Sequence, residues 1–189
     1  MKNKFYLFYF YNYFFSIFII LLIWPLLLLI LIVCTLDLGS PLFIQKRVGK
    51  NKKNFNLIKF RTMRIGTPSV ASHEVNSNYV TKTGRILRKF KLDELPQLIN
   101  VLRGEMSLVG PRPNLPSQDY LIEERKKYNL YQFKPGITGL SQINRIDMSN
   151  PEFLAKSDNR MMAKMNQISY FKYLFKTIFR SKGDTIEYK

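Results

Sequence analysis

Histidine and cysteine are almost missing from this sequence: 189 residues contain one of each, His73 and Cys34. A His/Cys zinc site cannot be assembled within one such chain. A Ser-His arrangement would hang on His73 alone, in the polar run GTPSVASHEVNSN, which reads as a loop. A lone cysteine excludes a disulfide framework, and its position inside an apolar run suits a reducing compartment. Acidic residues are also scarce, 13 Asp and Glu against 30 Lys and Arg, for a net charge of +17. Chemistry in this chain must therefore rest on carboxylates and arginines, with a hard cation as the natural companion.

The positive charge is unevenly spread. Residues 1–45 carry Lys2, Lys4 and Asp37 as their sole charged side chains, so nearly all the excess lies beyond residue 45. Such a domain attracts anions: nucleic acid, an anionic membrane surface or phosphorylated substrates. Ahead of it runs an apolar stretch, 14–36, interrupted by Ser16, Pro25, Cys34 and Thr35. As helix it would measure about 34 Å, against about 30 Å for a hydrocarbon core. It is too long for a signal peptide, and CTLDLG offers no small-x-small cleavage site, so the segment is expected to stay in the membrane.

Pro25 divides this run into halves of about 16 Å, each half the hydrocarbon thickness. Proline removes a backbone hydrogen bond and clashes one turn back, making Trp24-Pro25 the natural place for a kink. Both flanks are basic, Lys2 and Lys4 before, Lys46, Arg47, Lys50, Lys52 and Lys53 after. A helix that enters, breaks at Pro25 and returns keeps both flanks on the cytoplasmic side, whereas a straight span puts one outside. A kinked spanning helix remains open as an alternative.

Beyond the membrane segment, runs at 42–44 and 55–60 flank a basic Gly-Asn turn and read as a β-hairpin. Helices are expected over 85–103, 120–128 and 151–180, with a proline-rich connection at 107–116 and a glycine-punctuated loop at 134–144. In the last helix, Lys172, Lys176 and Arg180 recur at i, i+4, i+8 opposite Phe171, Leu174, Phe175, Ile178 and Phe179, the pattern of a helix in a membrane interface.

The densest chemistry lies in GRILRKFKLDELPQLINVLRGEMSLVGPRP, 84–113. Asp93 and Glu94 are adjacent, with Arg85, Arg88, Lys89 and Lys91 before them and Arg103 and Arg112 after. Pro96 suits the first position of a following helix. Neighbouring side chains point apart, so one acid could attack phosphorus while the other holds Mg²⁺ together with substrate phosphates. The arginines would neutralise charge on a phosphoryl group in transfer. On composition alone such a pair is more often a solvated salt-bridge face.

KFRTM (59–63), LDELPQLINVLRGEMSLVGPRP (92–113) and KPGITGLSQIN (134–144) resemble, in order and spacing, the bacterial sugar transferase family, the small monotopic phosphoglycosyl transferases. The resemblance runs from about residue 14 to 180. It implies an α/β, helix-rich monotopic membrane protein: a re-entrant helix-break-helix over 1–38 with its break at Trp24-Pro25, then a catalytic domain over 39–189 with a small β-hairpin and interfacial amphipathic helices. It also implies transfer of a sugar-1-phosphate from a UDP-sugar to undecaprenyl phosphate, with release of UMP, at the cytoplasmic face of the bacterial inner membrane. In that reading Asp93 is the nucleophile, Glu94 a Mg²⁺ ligand, and Arg88 and Arg112 contact phosphate. Arg145, standing where the family often has glycine, is a weaker phosphate candidate. Lys59 and Arg61 lie in a family motif and are read as structural. The stretch IDMSNPEFLAKSD is similar to the branch that handles N-acetylated amino sugars.

The expected partners are thus a UDP-sugar, undecaprenyl phosphate and membrane lipid, with no nucleic acid; oligomeric state stays open. Two readings from other classes compete. A membrane-tethered nucleic-acid binder would use the charge and the 27 aromatic residues, but these concentrate in and near apolar segments. A non-enzymatic adaptor would treat Trp24 and Arg145 as marks of degeneration.

Overall fold

The computed structural model describes residues 2–67 and 77–179; His73 and Arg180 lie outside them. Helix α1 runs from Lys2 to Leu38, and Leu7–Leu38 within it is long and apolar enough to cross a membrane. Helical backbone continues through Pro25, so the chain does not leave the helix at the expected Trp24-Pro25 break. A single proline costs one i→i−4 bond, which a long apolar helix can absorb without ending. Trp24 and Pro25 are both exposed.

α1 meets the rest of the chain in two stretches, one up to Ile20 and one from Leu27 onward, with mostly exposed residues between them. Phe8, Asn12, Ser16, Ile30 and Cys34 are buried, while Phe14, Leu21, Leu22 and Leu29 are exposed. The N-terminal half joins the main core, where Phe8 stacks on Tyr170 at 5.2 Å and Tyr11, Phe15 and Ile19 pack around Leu98, Val101 and Met106. The C-terminal half makes a second cluster, in which Ile30 and Cys34 meet Phe60, Leu87, Leu92 and Leu95.

A polar hub fixes the first half. Asn12 Oδ1 accepts from the Leu108 amide (2.9 Å), Ser107 Oγ (3.1 Å) and Tyr170 Oη (2.7 Å), so three donors distant in sequence meet on one oxygen. At the other end Gly39 turns the chain with φ +70. There Arg61 donates to the carbonyls of Ser40 and Leu42, both at 3.0 Å, and lies over the Phe43 ring.

Strands β1 (Leu42–Val48) and β2 (Asn54–Phe60) form the expected antiparallel hairpin, with the first strand longer than its apolar run suggests. The helix expected over 85–103 is in fact α2 (Lys82–Lys89), a single 3₁₀ turn (Leu92–Glu94) and α3 (Gln97–Leu102). Left-handed Lys91, φ 56, ends the first helix, and Pro96 opens the second. The proline-rich connection contains β3 (Ser107–Val109), paired in parallel with β4 (Gly136–Thr138) from the glycine loop. A Cβ on Gly136 would sit 2.0 Å from the Gly110 nitrogen, so the two loops can approach this closely with glycine alone.

After α4 (Asp119–Lys127) and the short α5 (Leu140–Ile143), the helix expected over 151–180 is two: α6 (Pro151–Ala163) and α7 (Gln167–Phe179). Asn166 and Ser169 exchange side-chain-to-amide bonds of 2.8 Å, a capping pair that starts α7 afresh. Tyr170 joins the core with Phe171 and Leu174 packed against it, whereas Phe175 and Phe179 stay exposed and stack on each other.

Asn12→Leu would leave the three donors of the hub without their acceptor. It should lower stability by about 2–3 kcal/mol, read as a lower unfolding midpoint in detergent, while Asn12→Asp, which keeps an acceptor oxygen, loses less.

Candidate active site

The Leu92–Glu94 turn is anchored from below by Leu92 and Leu95, which pack on Ile30, Cys34 and Phe60. With these leucines inward, Asp93 is also buried (9 % exposed) and the Glu94 side chain is about one-fifth exposed. Adjacent acids thus share one turn but stand in different surroundings.

Glu94 faces the hairpin. Lys59 Nζ lies 2.8 Å from Glu94 Oε1. The register explains this meeting. On β2, Phe55, Leu57 and Lys59 alternate onto one face, opposite Arg47, Gln45 and Phe43 of β1. Phe55 and Leu57 enter the core, and the third position on that face carries an ammonium instead of an apolar group. Burial disfavours the Glu94 carboxylate, but Lys59, Arg112 and Lys91 together outweigh it and hold the carboxyl down at about 2.

Arg47, on the same face, is buried, donating to the Pro113 carbonyl (3.2 Å) and to Gln45 Oε1 (2.5 Å). Burial and the neighbouring Arg112 charge lower it to about 10, and Glu94 offsets part of that. Arg125, on α4, reaches the same loop, donating to the Arg112 carbonyl at 2.8 Å and to Asn114 Oδ1 at 3.1 Å. Its other nitrogen pairs with buried Asp158 at 2.6 Å, and Ser141 Oγ donates to that carboxylate at 2.8 Å. Two buried guanidiniums therefore grip the main chain of Pro111-Arg112-Pro113, while the half-buried Arg112 side chain lies within electrostatic reach of Glu94.

Arg88, on α2, donates Nε to Thr62 Oγ1 at 2.9 Å. Its helix comes this close because Gly84 has no side chain: a Cβ there would meet the Thr62 carbonyl oxygen at 2.1 Å. Arg145 is exposed at the end of α5, with φ 56, a backbone conformation that glycine adopts most easily. It is not among the charges that depress Glu94.

The structure thus gathers Asp93, Glu94 and Arg112 with Lys59, Lys91 and Arg47, and leaves Arg145 on the surface. Lys59, read from sequence as structural, is the direct partner of Glu94; Arg61, read likewise, clamps the end of α1 to the hairpin. Arg47, Arg125 and Asp158 escaped the sequence reading. A basic residue on the apolar face of a strand was a usable signal for Lys59 and Arg47. Nothing local marks the Arg125–Asp158 pair, whose members are 33 residues apart. Chemically, several cations around two carboxylates suit a ligand carrying more than one phosphate.

The chain matches, over residues 4–182, the family model described as bacterial sugar transferase. An uncharacterized sugar transferase of Bacillus subtilis, EpsL, is 47% identical over 121 residues, which are 63% of this chain and 59% of that one. The UDP-glucose:undecaprenyl-phosphate glucose-1-phosphate transferase of Caulobacter vibrioides is 47% identical over 124 residues, 63% of this chain and 46% of that protein. The exopolysaccharide production protein ExoY of Sinorhizobium fredii is 36% identical over 173 residues, 82% and 76% of the two chains. The chain spans about half the length of the first two relatives.

Because the folded-state carboxyl of Glu94 lies below its ordinary 4.5, its ionisation stabilises the fold fully above that pH, and the contribution fades as pH falls towards about 2. Lys59→Met should therefore lower the unfolding midpoint most above pH ~4.5, with the gap to the parent closing at lower pH. A gap of constant size across that range would contradict the pairing.

Proposed function

The chain belongs to the bacterial sugar transferase family, and from that premise we propose that it moves a sugar-1-phosphate from a UDP-sugar to undecaprenyl phosphate, releasing UMP. The observation that carries this reading is the asymmetric acid pair: Glu94 kept ionised by its ring of cations, with Asp93 beside it in the same turn. In this reading Glu94 serves electrostatics through its ion pair with Lys59, and the family resemblance assigns the attack on phosphorus to Asp93.

In the proposed reaction a carboxylate oxygen of Asp93 attacks the β-phosphorus of the donor. The bond from that phosphorus to the bridging oxygen breaks, and UMP leaves with the electron pair. An oxygen of undecaprenyl phosphate then attacks the same phosphorus, the bond to Asp93 breaks, and the carboxylate is restored. Arg112, fixed by its gripped main chain, and Arg88 neutralise phosphate charge while the leaving group forms. Lys59 keeps Glu94 anionic throughout.

The donor set fits Mg²⁺ when substrate supplies the rest. Among the described residues no group of three or more His, Cys, Asp or Glu converges, and Mg²⁺ commonly takes one or two carboxylates plus substrate phosphates and water. Glu94 would hold the ion, which when bound would offset charge on the donor's diphosphate.

The same reading puts the site at the cytoplasmic face of the inner membrane, with α1 re-entrant. Asn12 and Cys34 lie near opposite ends of the apolar run, yet both are bonded within one domain, Asn12 to Leu108 and Cys34 to the Arg61 carbonyl. A helix that crossed the bilayer would carry one of them away from it. For the sugar, the stretch 146–158 favours an N-acetylated amino sugar.

Asp93→Asn should reduce UMP release from UDP-sugar and undecaprenyl phosphate by at least about 10³-fold while the protein still accumulates in membranes; normal release would remove Asp93 as nucleophile. A panel of UDP-glucose, UDP-galactose and UDP-N-acetylated amino sugars in the same assay ranks the donors. For topology, single cysteines replacing Lys2 and Lys50 in a Cys34→Ser background should both resist an impermeant thiol reagent in intact cells. Labelling at position 2 would overturn the re-entrant path.

A further inference from the structure

Asn100, in the middle of α3, is fully buried, and its side chain makes bonds in three directions. Its Oδ1 accepts from the Ile58 amide at 3.1 Å, and its Nδ2 donates to the Asn56 carbonyl at 2.8 Å and to Glu105 Oε2 at 2.7 Å. The first two are the bonds that a neighbouring strand would make. Among the described residues β2 has β1 on one side and no strand on the other; the Asn100 amide pairs with that second edge as a one-residue strand. Glu105, an acceptor, dictates which end of the amide faces which way. The Asn100 carbonyl in turn accepts from the Glu105 and Met106 amides, at 3.0 and 3.2 Å, which anchors the chain where it leaves α3 for β3.

Lys59 follows Ile58 directly, and Glu94 stands just ahead of α3. A closed circuit results: Glu94, the start of α3, Asn100, the Ile58 amide, Lys59, and back to Glu94 through the 2.8 Å ion pair. Of the links in this circuit, the ion pair and the Asn100 bonds are non-covalent, so the reach of Lys59 depends on where Asn100 holds β2.

We propose that Asn100 is a positioning residue for the phosphoryl-transfer site, its amide holding β2 against α3 so that the Lys59 ammonium sits on Glu94. The role assigned to the ion pair rests on the function proposed above. The circuit itself rests on the geometry alone.

The test is a double-mutant cycle on the full-length protein, combining Asn100→Asp with Lys59→Met. Aspartate keeps the acceptor for Ile58 but loses both donated bonds. In the parent, Asn100→Asp should lower kcat for UMP release roughly tenfold with little change in KM for the UDP-sugar. In the Lys59→Met background, the same substitution should cost less than about twofold. Equal costs in both backgrounds would overturn the proposal, as would an unchanged kcat in the parent. Glu105→Gln added to Asn100→Asp returns a donor to the pair and should recover part of the rate; no recovery counts against the proposal. If Asn100→Asp fails to accumulate, Glu105→Ala, which frees the amide without replacing it, runs through the same cycle with a smaller expected loss and the same criterion. The cycle is repeated on unfolding midpoints without substrate. There, non-additivity supports the circuit and additivity overturns it even if the parent releases no UMP, a result that would defeat the proposed function separately.

Discussion

Two buried guanidiniums hold the candidate site in shape. Arg47, from the hairpin, and Arg125, from α4, bond to successive carbonyls of the Pro111-Arg112-Pro113 main chain, those of Pro113 and Arg112. Prolines at 111 and 113 leave this segment without two of its amide donors, so it has little to offer a sheet and must be secured through its carbonyls. Burying two positive charges is costly. Asp158 offsets the charge of Arg125, and the Gln45 and Pro113 oxygens receive Arg47. Arg112 can therefore present its own charge to Glu94 from a backbone that is already fixed.

The same grip ties distant parts of the chain together. Arg125 comes from α4, Asp158 from α6 and Ser141 from α5, while Asn114 joins the group by accepting from Arg125 and from Tyr131. The Asn114 carbonyl also receives the Val48 amide at the end of β1. The helical half of the domain and the hairpin thus meet at one loop, and the parallel pairing of β3 with β4 brings the glycine loop beside it. The stretch 146–158, which from sequence suggested a choice of sugar, ends on a residue the fold needs for this ion pair.

What could be read beforehand follows the range of the interactions. The hairpin, the apolar helix and the acid pair with its nearby arginines all follow from local pattern: alternation, an apolar run, adjacent charges. The single helices expected over 85–103 and 151–180 each hid a boundary. Lys91 takes a left-handed conformation, and Asn166 caps a new start, neither of which interrupts the hydrophobic rhythm. At Pro25 a strong local breaker costs one backbone bond without ending the helix, which continues on both sides of an exposed Trp24-Pro25. The Lys59–Glu94 contact needed a register, and the Arg125–Asp158 pair needed a tertiary fold; neither has a signature within one segment.

The contacts of α1 bear on how such a protein can be handled. Leu92 and Leu95, which flank the two acids, rest on Ile30 and Cys34 of the apolar helix, and Leu108, at the entry to the Pro-Arg-Pro loop, is bonded to Asn12. The apolar helix is a structural wall of the candidate site. Trimming it to obtain a shorter catalytic fragment would strip the floor from beneath the acids, so any such fragment must keep this helix or replace the apolar face it offers them.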